Sequence, residues 1–184
     1  MQRRTLDEFK KLNPHLDAFW PYLELLNKES DRGAVLISTG FLEQQLRDVL
    51  LAFMLDDKKV AKLVDGANAP LGTFSSRIAA CYAFGLISEK ERFDLDQLRG
   101  IRNDFAHNIH VSFETQSVIN RCATLRHKAH DYDSEKLGEV RMSPSAQFRT
   151  AAVALIMSLI NRATYASRKR RITEIWPDQS KAER

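Results

Sequence analysis

The sequence predicts an all-α fold, a single bundle of about seven helices. Two observations carry that expectation. Apolar residues recur at the helical period in almost every segment, and no run alternates as a half-buried strand does. Between these segments stand helix punctuation marks: capping hydroxyls, a proline at a first helical position, a glycine after a last turn. The chain has 184 residues, 43% apolar and 28% charged, so one core suffices and disorder is not expected. One domain over 1–184 is expected, with its core at about 16–168 and a basic tail at 169–184.

Residues 5–12 read as a weak first helix stopped near Pro14, and 16–28 as a second carrying Trp20, Leu23 and Leu26. The third is expected over 31–56 with Asp31 as N-cap. Val35, Leu42, Leu46, Val49, Leu50 and Phe53 share one stripe, while Ile37, Phe41, Leu51 and Leu55 fall on the other side. A helix apolar on two sides is buried between neighbours, so its polar residues Glu43, Gln44 and Arg47 stand out. Glu43 and Arg47 are spaced to pair along the helix, and a Glu43–Arg102 ion pair between two central helices would account for polar groups on buried elements.

A short helix at 57–64 ends at Gly66, and 67–72 is a loop by its Pro and Gly content. Thr73 caps a helix over 74–84, closed by Gly85 in a left-handed conformation. Ser88 to Glu91 is a capping box opening a long helix to about 108. Another helix is expected at 115–130 and a polar loop at 131–142. Ser143-Pro144 then opens the last helix, 144–168. Its run from Ala151 to Ile160 is apolar nearly all round and must be covered by the core or by a second subunit.

The formal charge is +4 and the pI about 9.1, a mild excess that permits an acidic partner or nucleic acid without demanding either. The cations cluster. Arg162, Arg168, Lys169, Arg170 and Arg171 form the densest group, and Arg121, Arg126 and Lys128 a second beside His127 and His130. These eight Arg and Lys residues are the candidates for nucleic-acid contact. His127 and His130 with Asp131 and Asp133 lack a fixed metal-ligand spacing, and solvated polar residues are the plainer reading. Cys81 and Cys122 also lack metal spacing and are expected to be reduced. No metal site, cofactor motif, phosphate loop or nucleophile elbow is present. No signal peptide is read at the N-terminus, and the longest apolar run is too short to span a bilayer. A soluble cytoplasmic protein without membrane contact is expected.

The most informative stretch runs from Leu98 to His107. Leu98, Ile101 and Phe105 lie on the core stripe, while Arg99, Asn103 and His107 line the opposite side. With Glu43, Arg47 and Arg102 they make the candidate polar functional cluster. Arg102 to His107 has the R-x-x-x-x-H spacing and so resembles the HEPN-domain ribonucleases. That resemblance implies a two-subunit site in which His107 moves a proton and Arg102 holds the scissile phosphate. The motif is short, and the alternative is that Arg102 braces the bundle and His107 caps a neighbour through hydrogen bonds.

Longer blocks carry a second resemblance. Asp31-Arg32-Gly33-Ala34 leads to the run from Phe41 to Arg47. Pro70 to Ile78 follows, then Gly85 to Ser88, and finally Leu98 to His107. In this order the sequence resembles the MltR (mannitol operon repressor) family over roughly 16–130, and more loosely through the last helix. The resemblance implies a self-associating helical bundle, likened to a homo-oligomer, that represses a sugar-alcohol uptake operon.

DNA reading by the residues themselves is poorly supported. Helix 74–84, the turn at Gly85 and the helix from 88 imitate a helix-turn-helix, but the second helix opens with Glu89, Glu91, Asp94 and Asp96 against Lys90 and Arg92. Four carboxylates oppose phosphate, so that reading is rejected. Three functions remain open: a regulator acting through DNA or a protein partner, a pure interaction module, and a ribonuclease.

Overall fold

The computed structural model describes residues 11–66, 68–129, 132–134, 138–140, 142–174 and 176. After a single 3-10 turn at Pro14–Leu16 come α1 (Phe19–Lys28), α2 (Asp31–Phe53), α3 (Lys58–Ala61), α4 (Phe74–Ala83), α5 (Glu89–His107), α6 (Gln116–Thr124) and α7 (Pro144–Ser167). The fold is an all-α bundle, with these seven α-helices among the described residues. Of the helix expected over 5–12, Lys11 and Leu12 are helical and the remainder lies outside the described residues.

The two longest helices, α2 and α7, form the central pair. Helices α4 and α5 pack on α2 and on each other, α6 bridges α5 and α7, and α1 rests against α2. Leu42, Leu46 and Leu50 of α2, Leu98, Ile101 and Phe105 of α5, and Phe148, Leu155 and Leu159 of α7 are fully buried. Each fully buried side chain of this size contributes about 1.5–3 kcal/mol against exposure. The rings of Phe105, Phe113 and Phe148 continue that core, with centroids 5.3 and 5.6 Å apart.

Several helix ends differ from the sequence expectation, each for a local reason. Helix α1 begins at Phe19, placing Pro21 in the first turn, where its missing N–H costs nothing. Ser30, not Asp31, caps α2: its hydroxyl accepts from the Gly33 N–H at 3.1 Å. Asp31 sits instead in the first turn, where a carboxylate suits the helix dipole. Helix α2 stops at Phe53 because Met54 turns extended. Asp57 caps α3, which is shorter than expected. Helix α6 stops at Thr124, not near 130. Buried Asp94 takes the Arg126 and His127 N–H groups at 2.9 and 2.8 Å, and the chain leaves the helix at Leu125. The polar segment expected as a loop at 131–142 contains a short hairpin, Tyr132–Ser134 antiparallel to Gly138–Val140.

The expected caps at Thr73, Ser88 and Ser143 are present, the first two as capping boxes. Gly85 closes α4 with φ +68, a conformation that disfavours any side chain. Along α7 the pairs Ala151–Ala152, Leu155–Ile156 and Leu159–Ile160 are buried. Val153 and Met157 between them are half-buried, so the helix is not covered equally on every side. Among the described residues no helix is long and apolar enough to cross a membrane.

Candidate functional site

Helix α5 presents the candidate polar face. Its core stripe faces inward as expected. Asp96 lies between two arginines, 3.5 Å from Arg92 and 3.4 Å from Arg99, and the Arg92 guanidinium lies 4.9 Å from the Tyr82 ring. Asn103 and Arg102 are half-buried, and His107, the last helical residue, is exposed. Five helical residues correspond to a rotation of about 140°, so Arg102 and His107 diverge on one copy of the chain.

Both ion pairs expected of Glu43 are replaced. Arg47 gives its fork to Asp65, with Nε at 2.6 Å from Oδ1 and Nη2 on Oδ2, and reaches Asp48 at 2.9 Å. Two parallel hydrogen bonds to one carboxylate satisfy the planar guanidinium better than a neighbour on its own helix. The hydrogen bond raises the Arg47 pKa and, from the other side, holds the Asp65 carboxyl below its ordinary value. Glu43 turns to Arg77 on α4, 3.8 Å away, and is not within ion-pair distance of Arg102. Arg77 is buried and donates to the carbonyls of Leu71, Val64 and Glu43 at 3.0, 3.2 and 3.3 Å. A guanidinium buried this deeply requires a counter-charge, and Glu43 supplies it.

The basic candidates are mostly engaged within the chain. Arg121 lies across Gly100, donating to Gln97 Oε1 at 3.2 Å and pairing with Asp104 at 3.7 Å. Arg126 stacks over Phe93 at 4.3 Å, and Lys128 donates to the Ala123 carbonyl. Arg162 pairs with buried Glu91 at 2.9 Å and also donates to the Leu86 carbonyl. Burial pushes the Glu91 pKa up, but the Ser88 N–H and hydroxyl, with Arg162, outweigh it and hold the pKa below the ordinary value. Arg168 lies over Tyr165 at 5.6 Å, Arg170 pairs with Asp56 at 3.5 Å, and Arg171 with Glu174 at 3.1 Å. Lys169 is exposed.

His127 is tied to Asp94 through Nδ1 at 2.8 Å. His130 and Asp131 lie outside the described residues, as does the Asp133 side chain. Among the described residues no three His, Cys, Asp or Glu side chains stand together to hold a metal. Cys81 and Cys122 are buried free thiols whose pKa values burial pushes up to about 12.

Three arginines and one aspartate have structural roles that the sequence did not signal. Arg32 reaches the carbonyls of Phe105, Asn108 and Ile109, closing the C-terminus of α5. Arg149 does the same for α1 through the carbonyls of Leu26 and Glu29. Arg77 and Asp94 complete the set. Spacing on one helix gives no signal for such side chains, because their partners are backbone groups distant in sequence.

One end of the bundle carries an open apolar groove of about 500 Å³. Phe53, Met54 and Leu55 at the end of α2 and Val60 and Leu63 in the α3 turn line it, with Phe84 opposite. The Phe53 and Phe84 rings are 5.9 Å apart. Arg171 and Ile172 form its edge, anchored where the Arg171 N–H donates to the Phe53 carbonyl at 2.7 Å.

The arrangement is similar to a solved structure. A chain of the X-ray structure of the MtlR-HPr complex from Escherichia coli superposes with a TM-score of 0.54 at 23% identity, covering 80% of this chain and 96% of that one. At that identity the likeness is one of fold. No family model matches the chain, and no curated protein matches it in sequence.

Proposed function

We propose that this chain is a regulator of the MltR type, governing a sugar-alcohol uptake operon, and that it acts by docking a protein partner, not by holding DNA itself. The observation that carries this reading is the fate of four basic candidates, Arg121, Arg126, Lys128 and Arg162. DNA affinity depends on cations free to neutralise phosphate. Arg121, Arg126, Lys128 and Arg162 are instead spent on Asp104, Phe93, the Ala123 carbonyl and Glu91. Phosphate contact by Arg121 or Arg162 would break the pairs that fasten α5 to α6 and α7. The fold likeness to a chain solved together with a protein, HPr, supports the same direction.

The experiment is a deletion of the chain in its host, with transcripts of sugar-alcohol uptake genes measured and the tagged chain tested for promoter enrichment. Changed transcript levels without direct enrichment are expected. Strong enrichment, together with binding of the same DNA by the purified chain, would overturn the partner reading.

A further inference from the structure

We infer that the groove at the end of α2 is the docking site for an acidic amphipathic helix of a partner protein. This deepens the proposed function and rests on it. The floor is apolar and open: Phe84 is 48% exposed, Leu63 42% and Ile172 76%. Other large apolar side chains are exposed elsewhere, Leu36 on α2 and Tyr165 on α7 among them, but Leu63, Phe84 and Ile172 line one shared concavity. A bundle that leaves several large side chains around one concavity has room for apolar anchors at the spacing of one helix face.

The rim fixes the charge of the occupant. Arg171 is the charged residue of the lining, and the stretches 53–63 and 168–174, from which most of the lining comes, carry Lys58, Lys59 and Lys62, then Arg168, Lys169, Arg170 and Arg171. Against these seven cations stand three carboxylates, Asp56, Asp57 and Glu174. The excess of four equals the whole formal charge of the chain, +4, so the remainder of the sequence is balanced. Lys58 and Lys59 of α3 and the following Lys62 are exposed and make no ion pair among the described residues, whereas Arg170 pairs with Asp56 and Arg171 with Glu174, and Asp57 is occupied as the α3 cap. A cationic rim around an apolar floor complements a helix with leucine-like anchors on one face and carboxylates beside them. Nucleic acid suits the rim but has nothing to set on this floor, whose aromatic rings are edged by aliphatic side chains and not laid out as a stacking platform.

The test uses the full chain and three labelled synthetic peptides of equal length, read by fluorescence anisotropy. The first is an amphipathic helix of Leu and Glu, the second the same composition scrambled, and the third has Lys in place of Glu. The first is expected to bind at least about tenfold more tightly than the others. Leu63→Glu and Phe84→Glu are each expected to weaken it about tenfold, and raised salt to weaken it further. Circular dichroism of both variants guards against misfolding, and the exposed pair Lys59→Glu with Lys62→Glu provides a variant that leaves the apolar floor intact. Equal binding of scrambled and amphipathic peptides would overturn the proposal, as would indifference to these substitutions or preferential displacement by random-sequence DNA. If a partner is captured in the host equally by the wild type and by Leu63→Glu, the groove assignment falls while the partner reading stands.

Discussion

Arg77 Nη1 lies 3.8 Å from Glu43 Oε1 and 3.3 Å from the carbonyl oxygen of the same residue. One side chain of α4 thus neutralises a carboxylate of α2 and binds its backbone, while also tying down the loop at Val64 and Leu71. Arg77→Ala is expected to destabilise the chain by about 3 kcal/mol, since it strands buried acceptors and a counter-ion. Arg77→Lys should recover only part of this, because an ammonium lacks the planar fork. Urea denaturation decides: an unchanged midpoint for Arg77→Ala would show that the arginine is not a structural clamp.

That clamp also marks the boundary of what the sequence makes legible. The helices, their caps at Thr73, Ser88 and Ser143, and the core stripe Leu98–Ile101–Phe105 follow from periodicity and local chemistry. Glu43 stands out as a polar residue on a central helix, but its partner does not. Arg47 is plausible by helical spacing and Arg102 by its place on a second central helix, whereas Arg77 is chosen by the packing of α4 against α2. The shortened α6 has the same origin. No local signal ends it at Thr124; Asp94, about thirty positions earlier, takes the amides that would continue the helix. The groove is equally hidden, because Phe53, Leu63, Phe84 and Ile172 meet only in the folded chain.

Asp94 is fully buried and accepts from the Arg126 and His127 amides and from the His127 ring. Asp94→Ala leaves these donors facing a cavity. A loss of about 2–3 kcal/mol is expected, with faster hydrogen exchange at the 126 and 127 amides. Global destabilisation without local loss of protection would contradict the anchoring role.

Glu91 has its folded pKa held below its unfolded value, so it contributes stability that is fully present above the unfolded value of about 4.3. That contribution is lost as the pH falls through the folded pKa, because the unfolded chain takes up the proton first. Asp65, held down by Arg47, acts in the same direction. Urea midpoints measured from about pH 6 down to about pH 3 should therefore fall. Glu91→Gln should start lower at pH 6 and fall less steeply. Parallel curves for the two proteins would show that the Ser88–Glu91–Arg162 contacts do not set the acid limb.

The thiols of Cys81 and Cys122 are buried, with pKa values pushed up to about 12. Both should react with a thiol reagent about a hundredfold more slowly, or slower still, in the native chain than in urea. Rapid labelling of either cysteine at neutral pH would show that the core around α4 or α6 opens readily.

The proposed function has this chain meeting a protein and not holding DNA. Its most direct test is the binding of the purified full chain to its own upstream DNA, followed by anisotropy across a salt series. At about 0.15 M salt, where exposed cations are largely screened, no binding beyond that to random DNA is expected. Tight binding at that salt, selective for the upstream fragment and lost on neutralising Arg168, Lys169, Arg170 and Arg171, would contradict it.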